Sequence, residues 1–184
     1  MNDHGVFTGS DTIRFERLFP GPIERIWTYL TDSEKRGTWL ASGPMELKVG
    51  GAVKLHFDHA LLSPTKEPTP ERFREKEGGL AVQGRITRCE PPRLLAMTWA
   101  LVTKDASPNE DSEVTFELAP RGDKVRLLLT LRRLTDRGTL LKVAGGWHTH
   151  LAILGDNLEG RVPRPFWSNH EKLVRDYEER LKSA

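Results

Sequence analysis

Between Leu140 and Leu158, apolar residues recur at Leu140, Val143, Ala144, Trp147, Leu151, Leu154 and Leu158. A helix turning by about 100 degrees per residue gathers them into one stripe. So long a stripe has to lie on an apolar surface, and the residues before it supply one. Ala52 to His59, Leu80 to Cys89, Arg93 to Val102, Glu113 to Ala119 and Lys124 to Leu134 alternate apolar with polar side chains, as half-buried strands do. Pro91-Pro92, residues 104–111 and Arg121-Gly122-Asp123 break them apart, which gives an antiparallel meander. The α+β solution that buries both partners is a curved antiparallel sheet gripping the long helix.

The ends complete this outline. Thr12 to Phe19 reads as a first strand, stopped by Pro20-Gly21-Pro22. Ile23, Ile26, Trp27 and Leu30 follow at helical spacing, and Thr31-Asp32-Ser33-Glu34 matches a capping box, so two short helices are expected. Gly50-Gly51 fits a hairpin between Met45 to Val49 and Ala52 to His59. The stretch from Leu61 to Gly79, with Pro64, Pro68 and Pro70, is a long surface loop, functional or mobile. Thr135 or Asp136 can cap the long helix. After Gly160 to Pro165, a Ser168-x-x-Glu171 box opens a final amphipathic helix with Leu173, Val174, Tyr177 and Leu181 on one face. The expectation is one domain over residues 12–184, with residues 1–11 flexible.

At 184 residues, with 37% hydrophobic side chains, the chain can bury a real core. A formal charge of +2 lacks the concentrated excess of Lys and Arg that phosphate binding needs, so no nucleic-acid partner is expected. Cys89 stands alone, which excludes an internal disulfide and a cysteine metal cage. No signal-like or membrane-spanning apolar run appears, and the reading is cytoplasmic with no membrane partner.

Phe15-Glu16-Arg17, Phe19-Pro20, the Trp27 helix, Leu30-Thr31-Asp32 and Trp39-Leu40 resemble the opening of the heat-shock-protein-90 ATPase activator homologue-like family. That family belongs to the START-like, birch-pollen-allergen-like SRPBCC superfamily. Val49-Gly50-Gly51, Glu90 to Leu94 leading to Trp99, Val114 to Leu118 and Gly145-Gly146-Trp147 follow in the family's order. Pro165-Phe166-Trp167 and Tyr177-Glu178 are similar to the tail of one bacterial subgroup. The resemblance implies the helix-grip fold with a deep cavity between sheet and long helix, in a superfamily that binds lipids, sterols or polyketides and includes cyclases. It does not imply one shared activity. Chaperone activators carry a separate chaperone-binding domain before this fold, whereas residues 1–11 alone precede the first strand here. A chaperone interaction stays open as an expectation, and direct activation is not expected.

Alternation puts Val53, Leu55, Phe57, Val82, Ile86, Leu95, Met97, Trp99, Val114, Phe116, Leu118, Val125, Leu127, Leu129 and Leu131 on the concave face. Singly, such side chains more often fill a core. As a set on a cavity-bearing fold, some should meet a ligand. The nominated ligand-binding residues are Trp39, Phe57, His59, Val82, Ile86, Met97, Trp99, Phe116, Leu127, Trp147, His148, His150 and Leu151. The tryptophans lead, because an indole offers broad apolar contact and one N–H donor. His148 and His150 differ by about 200 degrees around the helix and cannot chelate one ion together.

There is no Gly-x-Ser-x-Gly elbow and no base beside Cys89. Glu110, Asp111 and Glu113 read as solvated, and Gly50-Gly51 and Gly145-Gly146 as a turn and a helix-packing contact. No catalytic residue, metal or cofactor is assigned. The expected function is non-enzymatic binding or carriage of a small apolar or amphipathic molecule. The alternatives are a cyclase-, dehydratase- or hydrolase-type enzyme using His59, His148 or His150, and a protein-interaction module in stress response.

Overall fold

The structure, a computed structural model, describes residues 3–76, 79–102, 112–134 and 137–182. Its strands are β1 (Val6–Phe7), β2 (Ile13–Pro20), β3 (Ala52–Phe57), β4 (Leu80–Glu90), β5 (Leu94–Thr98), β6 (Ala100–Val102), β7 (Glu113–Arg121) and β8 (Lys124–Arg132). Its helices are α1 (Ile23–Thr31), α2 (Ser33–Gly37), α3 (Arg137–Leu158) and α4 (Phe166–Lys182). The strands form one antiparallel sheet in the order β1-β2-β8-β7-β5-β4-β3, with β6 paired to β4. This is the helix-grip arrangement. The inward faces of β2, β7 and β8, with Ile13, Phe15, Leu127 and Leu129 all fully buried, meet the α3 stripe of Ala144, Leu151 and Leu154.

Several local expectations are corrected. Residues 5–7 are tied to the fold, because Val6 and Phe7 pair with Arg14 and Ile13, and the Gly5 N–H donates to the Tyr177 hydroxyl at 2.6 Å. Only glycine permits this approach, since a Cβ on residue 5 would sit 2.6 Å from Ile13 Cδ1. The cap of α2 is Asp32, whose carboxylate accepts from the Lys35 N–H at 2.9 Å. Thr31 instead ends α1 and donates its hydroxyl to the Trp27 carbonyl. Residues 45–49 make only an isolated bridge, Met45 to Val53, rather than a full hairpin strand. The stretch from Arg93 to Val102 divides at Trp99, which donates its backbone N–H to Ser112. The Thr135 or Asp136 cap, and the acidic pair Glu110 and Asp111, lie outside the described residues.

The loop from Leu61 to Gly79 is not structureless. Glu71–Lys76 forms 3₁₀ helix, Ser63 donates its hydroxyl to the Pro163 carbonyl at 2.7 Å, and Phe73 stacks on Trp167 at 5.1 Å. Glu67 reaches across to accept the Ser168 N–H at 3.1 Å. The final helix starts at Phe166, so Ser168 lies inside its first turn and Glu67, not Ser168 with Glu171, answers a free N–H there. Asp156, near the end of α3, accepts from the Arg161 and Arg164 guanidinium groups and from the Arg164 N–H. Burial alone would raise its pKa, yet these bonds hold it down at about 2. The link to α4 is thereby fastened, and α4 packs close to α3 where Gly145 leaves room for Val174.

Candidate functional site

A partly open cavity of about 140 Å³ lies where α3, the β3–β4 end of the sheet, the 59–73 segment and the start of α4 converge. Helix α3 contributes Lys142, Val143, Gly146, Trp147 and His150, one face at helical spacing. Phe57, Leu80, Val82, Trp99 and Leu101 come from the sheet, and Leu40 from the residues after α2. His59 and Phe73, with Phe166, Trp167 and His170 of α4, close the other side. Rings dominate. Trp99 and Trp147 lie 5.2 Å apart, Phe57 meets Trp99 edge-on at 5.9 Å, and His59 stacks on Phe166 at 4.0 Å. Gly146 is the gap in this wall, since a Cβ added there would meet nothing within 4 Å.

Of the nominated residues, Phe57, His59, Val82, Trp99, Trp147 and His150 stand on this wall. The others lie elsewhere. Trp39, Met97 and Phe116 border a crevice with no room for a guest, and the fully buried Trp39 donates its indole N–H to the Tyr29 carbonyl at 2.8 Å. Ile86, Leu127 and Leu151 belong to the packed core. His148 faces the opposite flank of α3, its Nδ1 3.0 Å from the Tyr177 hydroxyl and its ring edge-on to Phe15. Where the resemblance implies a deep cavity, the space described here is a small one at one end of α3, with Ile86, Leu127 and Leu151 packed in the core beside it.

Phe73, Phe166, Trp167 and His170 were not nominated, since nothing in their spacing shows that α4 and the proline-punctuated segment fold over the cavity. The adjacent rings of Phe166-Trp167 were the available signal. The Gly145-Gly146 pair is more than one packing contact, because the two residues divide the work. Gly145 faces Val174 and Gly146 opens into the cavity.

His150 lies 2.7 Å through Nδ1 from the Trp39 carbonyl. A carbonyl only accepts, so Nδ1 carries the proton and Nε2 keeps a lone pair. Burial disfavours the imidazolium and outweighs that hydrogen bond, lowering the pKa of His150 to about 4. At His148, burial and then the nearby Arg17 charge lower it further, to about 3. The Tyr177 hydroxyl accepts from the Gly5 N–H and lies 3.0 Å from His148 Nδ1, and burial raises its pKa to about 12. Both imidazoles are thus neutral at pH 7.

Sheet order, gripped helix and interior cavity together define an α+β helix-grip domain. The chain belongs to the family described as Activator of Hsp90 ATPase homolog 1-like protein, which it matches over residues 20–159. A solution structure of the protein encoded by gene BPP1335 from Bordetella parapertussis is 45% identical, with 97% of this chain and 91% of that one covered and a TM-score of 0.78. The crystal structure of CalU16 from Micromonospora echinospora is 21% identical over 91% of this chain and 86% of that one, with a TM-score of 0.62. PFC0360w, an HSP90 activator from Plasmodium falciparum, is 18% identical over 74% of this chain and 87% of that one, with a TM-score of 0.51. These last two likenesses show the fold alone. No curated protein matches the chain. Among the described residues no helix is long and apolar enough to cross a membrane.

Proposed function

We propose that the protein binds a small, ring-bearing apolar molecule in the cavity between α3 and the β3–β4 end of the sheet, without transforming it. The observation that carries this reading is an aromatic-walled space of about 140 Å³ held open by Gly146. A cavity of roughly 150 Å³ lined by apolar side chains stays dry and accepts benzene. One substituted ring is therefore the fitting size, and sterol-sized guests are too large for the space as it stands.

The cyclase- or hydrolase-type reading draws on His59 and His150, whose rings lie 5.6 Å apart on the wall. Against it, an imidazole with a pKa near 4 is a weak base at neutral pH, whereas efficient acid–base groups titrate near the working pH. A chaperone-linked or stress-related interaction is supported by the family description alone. The family's members need not share one activity. A cytoplasmic setting accords with a small apolar guest reached from solution.

The test uses Trp147→Leu with toluene as the probe, followed by calorimetry and by ligand-observed NMR. Trp147 meets Trp99 at 5.2 Å and Phe116 at 5.9 Å, so the substitution removes ring contact from the cavity wall. Toluene affinity is expected to fall about tenfold, or size preference to move to two-ring probes, with stability lowered by roughly 1–3 kcal/mol. Unchanged toluene binding alongside that stability loss would reduce Trp147 to a structural role. Failure of the native protein to bind any single-ring probe would contradict the proposed function.

A further inference from the structure

We propose that the molecule this cavity takes is an aromatic carboxylate, its ring beside Gly146 and its anionic end at Lys142; this rests on the binding reading above. Three imidazoles and one ammonium are the titratable groups on the described wall, namely His59, His150, His170 and Lys142, and no carboxylate stands among them. Every charge that the described wall can present is therefore positive or absent. His150 stays neutral, and Lys142 is the wall's one ammonium among the described residues.

The order along α3 makes this a directional site. Lys142, Gly146 and His150 follow one another at four-residue intervals on the same face, so each is displaced by about 6 Å along the axis. The missing side chain at 146 leaves the space between the ammonium and the imidazole, where a ring fits against Trp147 and Trp99. Lys142 lies exposed at the mouth of the cavity and forms no ion pair among the described residues. An exposed ammonium at the mouth of an apolar cavity attracts a carboxylate with the modest strength of a water-screened pair, and the ring held in the cavity keeps that carboxylate within its reach. A cationic guest of the same shape would meet repulsion from the same group, so one residue supplies both attraction and rejection.

Toluene, benzoate and benzylamine separate the size of the guest from its charge. Calorimetric titration of the full chain at pH 7 is expected to show benzoate binding about tenfold or more tighter than benzylamine. Lys142→Met should collapse that ratio to within about twofold, and Lys142→Glu should reverse the preference in favour of benzylamine. Benzylamine binding as tightly as benzoate, or a ratio that survives both substitutions, would overturn the carboxylate assignment while toluene binding upheld the cavity reading. Binding of none of the three would overturn both.

Discussion

Replacing Arg36 with methionine is expected to cost about 3 kcal/mol of stability, although the residue is remote from the solvent and has no carboxylate bonded to it. Arg36 is 1% exposed. Its Nε donates to the Ala41 carbonyl at 3.0 Å, Nη1 to the carbonyls of Leu30 and Thr31, and Nη2 to that of Gly43. The guanidinium thus ties the end of α1 to the chain that leaves α2, which is the chain that brings Leu40 to the cavity. Burial lowers its pKa to about 10, against the attraction of Asp32, so the charged form survives at neutral pH at some cost. Methionine relieves that cost and fills similar volume, yet it leaves four inward-facing carbonyls without their donor. Each buried acceptor left unanswered costs about 1–3 kcal/mol, and the relief of the cation offsets only part of the sum. Urea unfolding followed by circular dichroism measures the difference. A loss below about 1 kcal/mol would mean that water satisfies these carbonyls as well as Arg36 does.

Acidification from pH 7 to 5 should remove roughly 3–4 kcal/mol of stability, well before the carboxylates titrate. His148 and His150 are held neutral in the fold, with pKa values of about 3 and 4 against an ordinary value of 6.5. As pH falls through 6.5 the unfolded chain takes up both protons and the folded chain does not. Their contribution is therefore complete above that value and declines below it, until the folded protein itself protonates near pH 4 and then 3. Asp156, held near 2, adds its own loss only at still lower pH, once an unfolded carboxylate begins to protonate near 3.8. Urea midpoints at pH 7, 6 and 5 give the slope, which approaches roughly 2.7 kcal/mol per unit for two protons. His148→Asn should remove about half of it. A stability independent of pH over this range would mean that neither histidine is buried as neutral imidazole.

The helix-grip fold was legible because its two periodicities are strong. The α3 stripe and the alternation of β4, β7 and β8 each require burial against the other, and both appear within a residue or two of their expected bounds. The candidate site was only half legible. Alternation identifies which face of a strand is inward, so Phe57, Val82 and Trp99 could be nominated, but Ile86 and Leu127 share that pattern and belong to packed core. Depth along the sheet, not facing, decides between the two, and spacing carries no record of it. The same limit applies on α3. His148 and His150 were equivalent flanking residues in the sequence, and only the docking of α4 sends one to Tyr177 and the other to the cavity. Gly5 against Ile13, and Glu67 at Ser168, are single long-range approaches with no periodic signature.

If the guest binds in the space facing Gly146, Gly146→Leu should abolish binding most directly. A Cβ at this position meets nothing within 4 Å and Gly146 borders the cavity, so a leucine side chain is expected to extend into that space. Replacing a helical glycine also removes a propensity penalty of about 1 kcal/mol, so the variant should be at least as stable as the native protein. Titration of both proteins with toluene under identical conditions is expected to show binding in the native chain and a loss of about 30-fold or more in the variant, with no loss of stability. A folded Gly146→Leu protein that binds toluene as tightly as the native one would contradict the account.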